Sequence, residues 1–167
     1  MDTYDLVKQA TSLAKLKKYD EAIYLLNELR VNHKISYSEK IIPYYQKAGR
    51  YNELEKYCIE FLIPMDSRAA QDDFSHKCKE LQRAFISLSV YKIYNKLALC
   101  AKREKLKTDE SKFLKEASSY YHLYETNLAL GERIELDLEF REAKEIWGAN
   151  YSEWPTSYKD RFSNYIL

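Results

Sequence analysis

The side chains able to do chemistry are spread thinly along this 167-residue chain, and their spacing builds no recognisable reaction centre. His76-Lys77-Cys78 is the one close His/Cys pair in the sequence. A metal ion needs three or four convergent ligands, usually at Cys-x-x-Cys or His-x-x-x-His spacing, and neither pattern occurs. His33 and His122 stand alone. Glu135, Asp137 and Glu139 fall on the polar side of an alternating stretch, where solvated carboxylates are the ordinary expectation. A Gly-rich phosphate loop, a nucleophile elbow and a His-Glu-x-x-His helix are all absent from the sequence. With three glycines in all, tight catalytic loops are hard to build. The sequence reads as a non-enzyme needing no cofactor and no metal.

What remains is chemistry of binding. Sixteen tyrosines are the most unusual feature of the composition, and tyrosine offers a large rigid area with a polar tip. Most align with apolar stripes and are expected to pack between helices. Tyr44-Tyr45 and Tyr120-Tyr121 differ, because adjacent helical residues point about 100° apart and cannot both face one core. One of each pair is expected at the surface. Arg83, Lys92, Asn95, Lys102 and Arg103 form a candidate basic edge, for which a solvated helix face is the ordinary explanation. Lys and Arg number 27 against 26 Asp and Glu, so the net charge is +1, without the basic excess of a duplex-binding domain.

The elements that must carry these residues are helical. Hydrophobic residues make up 46% and charged residues 32% of the chain, and Gly and Pro number three each. Few breakers with abundant Lys, Glu, Leu and Ala predict an all-α single domain over 1–167. Leu6, Ala10, Leu13 and Leu16 mark a first helix from Thr3, with the turn at Lys17-Lys18-Tyr19. Ala22, Ile23, Leu26 and Leu29 mark a second, ending near His33. A third runs from Ser36–Ser38 to Ala48 with Pro43 inside it. A fourth covers Tyr51 to about Leu62 and stops before Pro64, and residues 64–72 read as a linker. Residues 73–105 carry one long helix or two. Thr108-Asp109-Glu110 restarts the pattern toward Gly131. Residues 134–140 alternate like a strand, yet Leu136, Phe140, Ala143 and Trp147 keep helical spacing and no partner strand exists, so helix is assigned. Thr156 to Tyr165 closes a set of seven or eight helices.

Tyr19-Asp20-Glu21-Ala22 and Tyr51-Asn52-Glu53-Leu54 lie 32 residues apart, and Phe140-Arg141-Glu142-Ala143 repeats the motif. Leu6, Ala10, Leu13, Tyr19, Ala22 and Leu26 in the first hairpin resemble the tetratricopeptide-repeat (TPR) family. Ile42, Tyr45, Tyr51, Leu54 and Phe61 follow in the second, and Leu130, Gly131, Ile134, Phe140, Ala143, Trp147 and Pro155 keep the spacing at the C-terminus. Ala117 and Ala143, only 26 residues apart, make the array irregular.

The resemblance implies a TPR-like α-α superhelix of helical hairpins. It also implies a partner held along the inner face of each first helix. By position that face is Tyr4, Val7, Thr11, Ala14 and Lys15, then Ser36, Glu39, Gln46 and Lys47. The family's Lys/Asn clamp for a terminal carboxylate is absent, since Val7 and Thr11 stand where it would begin. The expected function is a protein-protein interaction module, as adaptor, chaperone or neutralising inhibitor. The partner-binding set is Tyr4, Thr11, Lys15, Gln46, Lys47, Arg83, Lys92 and Asn95. The alternative is a nucleic-acid-binding regulator using the basic helix face. An exposed tyrosine patch would equally serve a homodimer. No run approaches the ~20 apolar residues of a membrane span. The acidic start lacks a signal-peptide pattern, and three scattered cysteines suit reduced thiols, so the expected location is cytoplasmic.

Overall fold

The computed structural model describes residues 3–33 and 38–166, and among them every regular element is helical. The helices are α1 Thr3–Lys15, α2 Tyr19–His33, α3 Ser38–Lys47, α4 Tyr51–Tyr57, α5 Ile63–Asp73, α6 Lys79–Arg103, α7 Lys107–Trp147, α8 Thr156–Arg161 and α9 Ser163–Ile166.

Three antiparallel hairpins, α1–α2, α3–α4 and α6–α7, are closed by the same turn. In each, the amide after the turn donates to the carbonyl five residues back: Lys18 to Leu13 at 2.9 Å, Arg50 to Tyr45 at 3.0 Å and Leu106 to Ala101 at 3.0 Å. The residue before it is left-handed, with φ of 61° at Lys17, 76° at Gly49 and 60° at Lys105. This arrangement satisfies the last carbonyls of a helix and reverses the chain.

The hairpins stack into two layers. In the first, Lys40 of α3 donates to the Thr11 hydroxyl of α1 at 3.3 Å. The Tyr44 ring lies 6.2 Å from Tyr19, just past the end of α1, so α1 and α3 run side by side in one direction. Gln46 near the end of α3 donates to Glu104, just past the end of α6, at 2.8 Å. In the second layer the Tyr57 hydroxyl of α4 bonds to Asn27 of α2. Tyr51 of α4 donates to Asp109 of α7 at 2.9 Å. Between the layers lies the main core, in which Ala22, Leu26, Ile42, Leu54, Ile93 and Leu97 have almost no exposed surface. Ala10 and Ala22 are buried where α1 and α2 cross, and Ile42 and Leu54 take the corresponding places in the second hairpin.

Four sequence expectations change. Residues 64–72 are not a linker, because α4 runs through a π-turn at Cys58–Leu62 directly into α5. The Ile63 amide reaches back to the Cys58 carbonyl, one residue further than in an α-helix. That widening sits where the Pro64 ring would otherwise meet the carbonyl of Glu60, so the helix survives its proline. The long stretch 73–105 is one helix, but only from Lys79, after a turn over residues 74–78.

The third and fourth changes concern α7, a single helix from Lys107 to Trp147 with no turn between Ile134 and Phe140. Leu130 to Trp147 of the C-terminal motif therefore lie along one helix and form no hairpin, and Pro155 lies beyond it at the start of α8. Ala117 and Ala143 are two buried places on that helix, and Ala143 belongs to a core with Trp154 and Phe162. Phe113, Ala117, Tyr120, Tyr124, Asn127 and Gly131 are buried or half-buried at steps of three and four. They meet Ala84, Ser87, Tyr91, Tyr94, Ala98 and Ala101 of α6, which keep the same steps. This is the spacing of a left-handed coiled-coil seam. Tyr94 marks its middle, with Tyr120 stacked at 5.7 Å and Phe113 at 6.4 Å.

Past Gly131, α7 outruns α6. Its last turns form a second core with the C-terminal segment, in which Ala143, Trp154 and Phe162 are buried around Phe140.

Candidate functional site

The repeated turn gives the three hairpins a common register, counted back from the first residue of α2, α4 and α7 (Tyr19, Tyr51 and Lys107). Four residues back stand Lys15, Lys47 and Arg103. Eleven back stand Lys8, Lys40 and Lys96. Eight back, between those rows, stand Thr11, Pro43 and Leu99. Lys8, Lys15, Lys40, Lys47 and Arg103 are exposed and Lys96 is half-exposed. The same place on three neighbouring helices thus carries two rows of cations, with a less polar strip between them.

In this register the inner-face residues expected from the first hairpin and the basic edge expected on α6 are one surface. Tyr4 corresponds to Lys92, Val7 to Asn95, Thr11 to Leu99, Ala14 to Gln46 and Lys102, and Lys15 to Lys47 and Arg103. Arg83 does not join them. It is nine residues from Lys92, about two and a half helical turns, and points to the opposite side of α6. Gln46 is half-buried and engaged with Glu104, so it ties the second hairpin to the third turn. Tyr4 is 72% exposed, the most open large apolar side chain described. Ser36 and the Glu39 side chain lie outside the described residues.

Charge is partitioned by layer. Helices α1, α3 and α6 contain ten basic and three acidic residues, a formal +7, so the remainder of this +1 chain carries −6. Ion pairs among the described residues link Lys18–Glu21, Arg50–Asp20, Arg50–Glu53, Lys112–Glu55 and Arg161–Glu139, and none uses a cation of the two rows. Lys40 bonds to the Thr11 hydroxyl, and Lys47 lies 6.0 Å from the centre of the Tyr19 ring.

A second candidate is a cavity of about 150 Å³ on the other side of α6, lined by Tyr51, Asn52, Leu54, Glu55, Leu97, Asp109 and Phe113. It is well below the ~300 Å³ of an ordinary small-molecule site. Its polar groups already serve each other, with Tyr51 donating to Asp109 and Lys112 pairing with Glu55. Burial, reinforced by the Asp109 carboxylate, pushes the Tyr51 phenol well above its usual range. That holds a neutral donor in place, as a structural pin requires.

The carboxylates of the alternating stretch are also occupied. Glu135 accepts the Cys78 amide at 2.7 Å, Asp137 accepts the Tyr165 hydroxyl, and Glu139 pairs with Arg161. The Cys78 thiol contacts the Gly131 carbonyl at 3.7 Å. Cys58 and Cys100 are buried cysteines outside any disulfide, and burial pushes the Cys100 thiol up to about 11. Among the described residues no group of His, Cys, Asp and Glu is placed to hold a metal ion, and no helix is long and apolar enough to cross a membrane.

Lys8, Lys40, Lys96 and Leu99 were not singled out by sequence reasoning. A signal for two of them was present, since Lys8/Lys15 and Lys40/Lys47 repeat at the same 32-residue period as the tyrosine motifs. Compared with known proteins, the chain matches no family model, no curated protein and no solved structure.

Proposed function

We propose that this chain is a non-catalytic protein-binding module, a TPR-like array of helical hairpins that takes its partner across α1, α3 and α6. An adaptor, a chaperone and a neutralising inhibitor all act in this way. The observation that carries the reading is the single surface formed by register-equivalent residues on three adjacent helices. Stacked hairpins favour this use, because each adds one more helix to a shared face. The six cations of that face enter none of the ion pairs among the described residues, which also supports it. Exposed charge that folding does not use is available for recognition and for steering encounter. The reading places its work in the cytoplasm, where three scattered cysteines would stay reduced.

Affinity purification of the tagged chain from its own cells, beside a Tyr4/Lys15/Lys47 triple-alanine variant, tests the proposal. The expected result is a stoichiometric protein partner that the folded variant fails to hold. A partner held equally by both would place binding elsewhere. The +7 of the first-layer helices favours one second reading, a nucleic-acid regulator. In that case a gel shift with nucleic acid would appear at low salt and collapse as salt rises.

A further inference from the structure

Resting on that reading, we infer that the partner element is an acidic amphipathic helix lying across α1, α3 and α6, between the two rows of cations. The rows are Lys8–Lys40–Lys96 and Lys15–Lys47–Arg103, seven residues apart on each helix, so they stand about 10.5 Å apart along the helix axes. That separation matches the roughly 10–12 Å diameter of an α-helix with its side chains. Within a row, the cations of α3 and α6 lie on packed helices at about 8–10 Å, the usual interaxial distance, and α1 stands beside α3 through the Lys40–Thr11 hydrogen bond. A carboxylate recurring every six or seven residues along a helix meets that interval at about 1.5 Å per residue.

The strip between the rows fits the same ligand. Thr11, Pro43 and Leu99 supply a methyl, a ring and an isobutyl group, and Leu99 is 37% exposed. An amphipathic helix would set its apolar edge on that strip and its two acidic flanks against the cation rows. Duplex and single-stranded nucleic acids fit less well. They offer phosphates on a closer spacing than the rows, and the strip lacks aromatic platforms on which bases would stack.

The probe is a fluorescein-labelled helical peptide of about 18 residues, roughly 27 Å long, with glutamates flanking a leucine stripe. It is compared with its glutamine counterpart and with a single-stranded oligonucleotide of equal charge. Anisotropy is read on the wild-type chain, on K8Q/K40Q/K96Q, on K15Q/K47Q/R103Q and on R83Q, with circular dichroism confirming each fold. The glutamate peptide is expected to bind and to weaken as salt rises from about 50 to about 300 mM. The glutamine peptide and each row variant are expected to bind about tenfold more weakly, the loss that several screened charge contacts add up to. R83Q, altered on the far side of α6, is expected to match the wild type. Equal binding of the two peptides, absence of binding, or tighter binding of the oligonucleotide overturns the inference. Because the capture experiment above does not depend on the partner's charge, a protein captured through this face alongside any of those outcomes removes the acidic helix and leaves the binding module standing.

Discussion

Gly131 is the residue at which packing is least forgiving. A Cβ built there would lie 2.6 Å from the Leu81 Cγ and 2.8 Å from the Leu81 backbone nitrogen. Backbone cannot swing aside as a side-chain tip can. Gly131→Ala would gain up to about 1 kcal/mol of helix propensity and lose about 1–3 kcal/mol to overpacking. A net loss of stability is expected in urea unfolding, and a gain would show that α6 and α7 can separate freely at this point. Tyr51 makes a second test. Its phenol stays protonated in the folded chain well above the 10.0 it has when unfolded. The unfolded chain therefore loses that proton first, and stability falls as pH rises above about 10 toward the folded value. Buried Tyr45 and half-buried Tyr94 shift the same way, loss of solvent being the largest cause for each. The melting temperature should drop above pH 10, and Tyr51→Phe should flatten that drop while costing about 1–2 kcal/mol at neutral pH for the lost hydrogen bond to Asp109.

At the scale of elements, the three repeated turns decide the layout, and two of them use lysine where glycine is favoured. Lys17 and Lys105 hold left-handed backbone at φ of 61° and 60°, whereas Gly49 meets the same need without a side chain. Lys17→Gly and Lys105→Gly should each stabilise by about 0.5–1 kcal/mol, the strain relieved less the added entropy of the unfolded chain. An unchanged or lowered denaturation midpoint would contradict that balance.

These turns also mark what was legible. The first two hairpins and the turns that close them followed from apolar periodicity, from Gly49 and from the 32-residue repeat of Tyr19 and Tyr51. The break of the third hairpin was read, with the long pattern ending at Lys105 and restarting at Thr108-Asp109-Glu110, but its closure as the same turn was not, because Lys105 carries no turn signal. Pro64 was read as a stop because a π-turn that absorbs a proline leaves no trace in residue pattern. Gly131 resembled part of a repeat motif, while its use is close contact with Leu81. The candidate surface is a similar case: Lys92 and Asn95 were singled out, but only the third turn's register joins them to Tyr4 and Lys15. Arg83 was grouped with them by sequence proximity, which helical rotation overrules.

At the scale of the molecule, two cores and two charge layers divide the labour. The main core holds the hairpins, and the second core closes the free end of α7 with aromatic residues. The chain's two tryptophans, Trp147 and Trp154, both belong to this end, with the Trp154 indole donating to the Gly148 carbonyl at 3.0 Å. Tryptophan fluorescence thus reports the small core, and far-ultraviolet dichroism the whole array. The fluorescence transition should come at lower urea, because a small core buries less apolar surface. Coincident transitions would mean that α7 couples the two cores into one cooperative unit.

The charge layers lead to the most direct test of the central claim, that α1, α3 and α6 present the working surface. Lysine footprinting by acetylation would be read by mass spectrometry on the chain in an extract of its own cells and again after purification. Lys8, Lys15, Lys40, Lys47 and Lys96 are expected to react more slowly in the extract, with Lys107, Lys144 and Lys159 unchanged. Equal reactivity of the five in both samples, or protection confined to the three control lysines, would contradict the account.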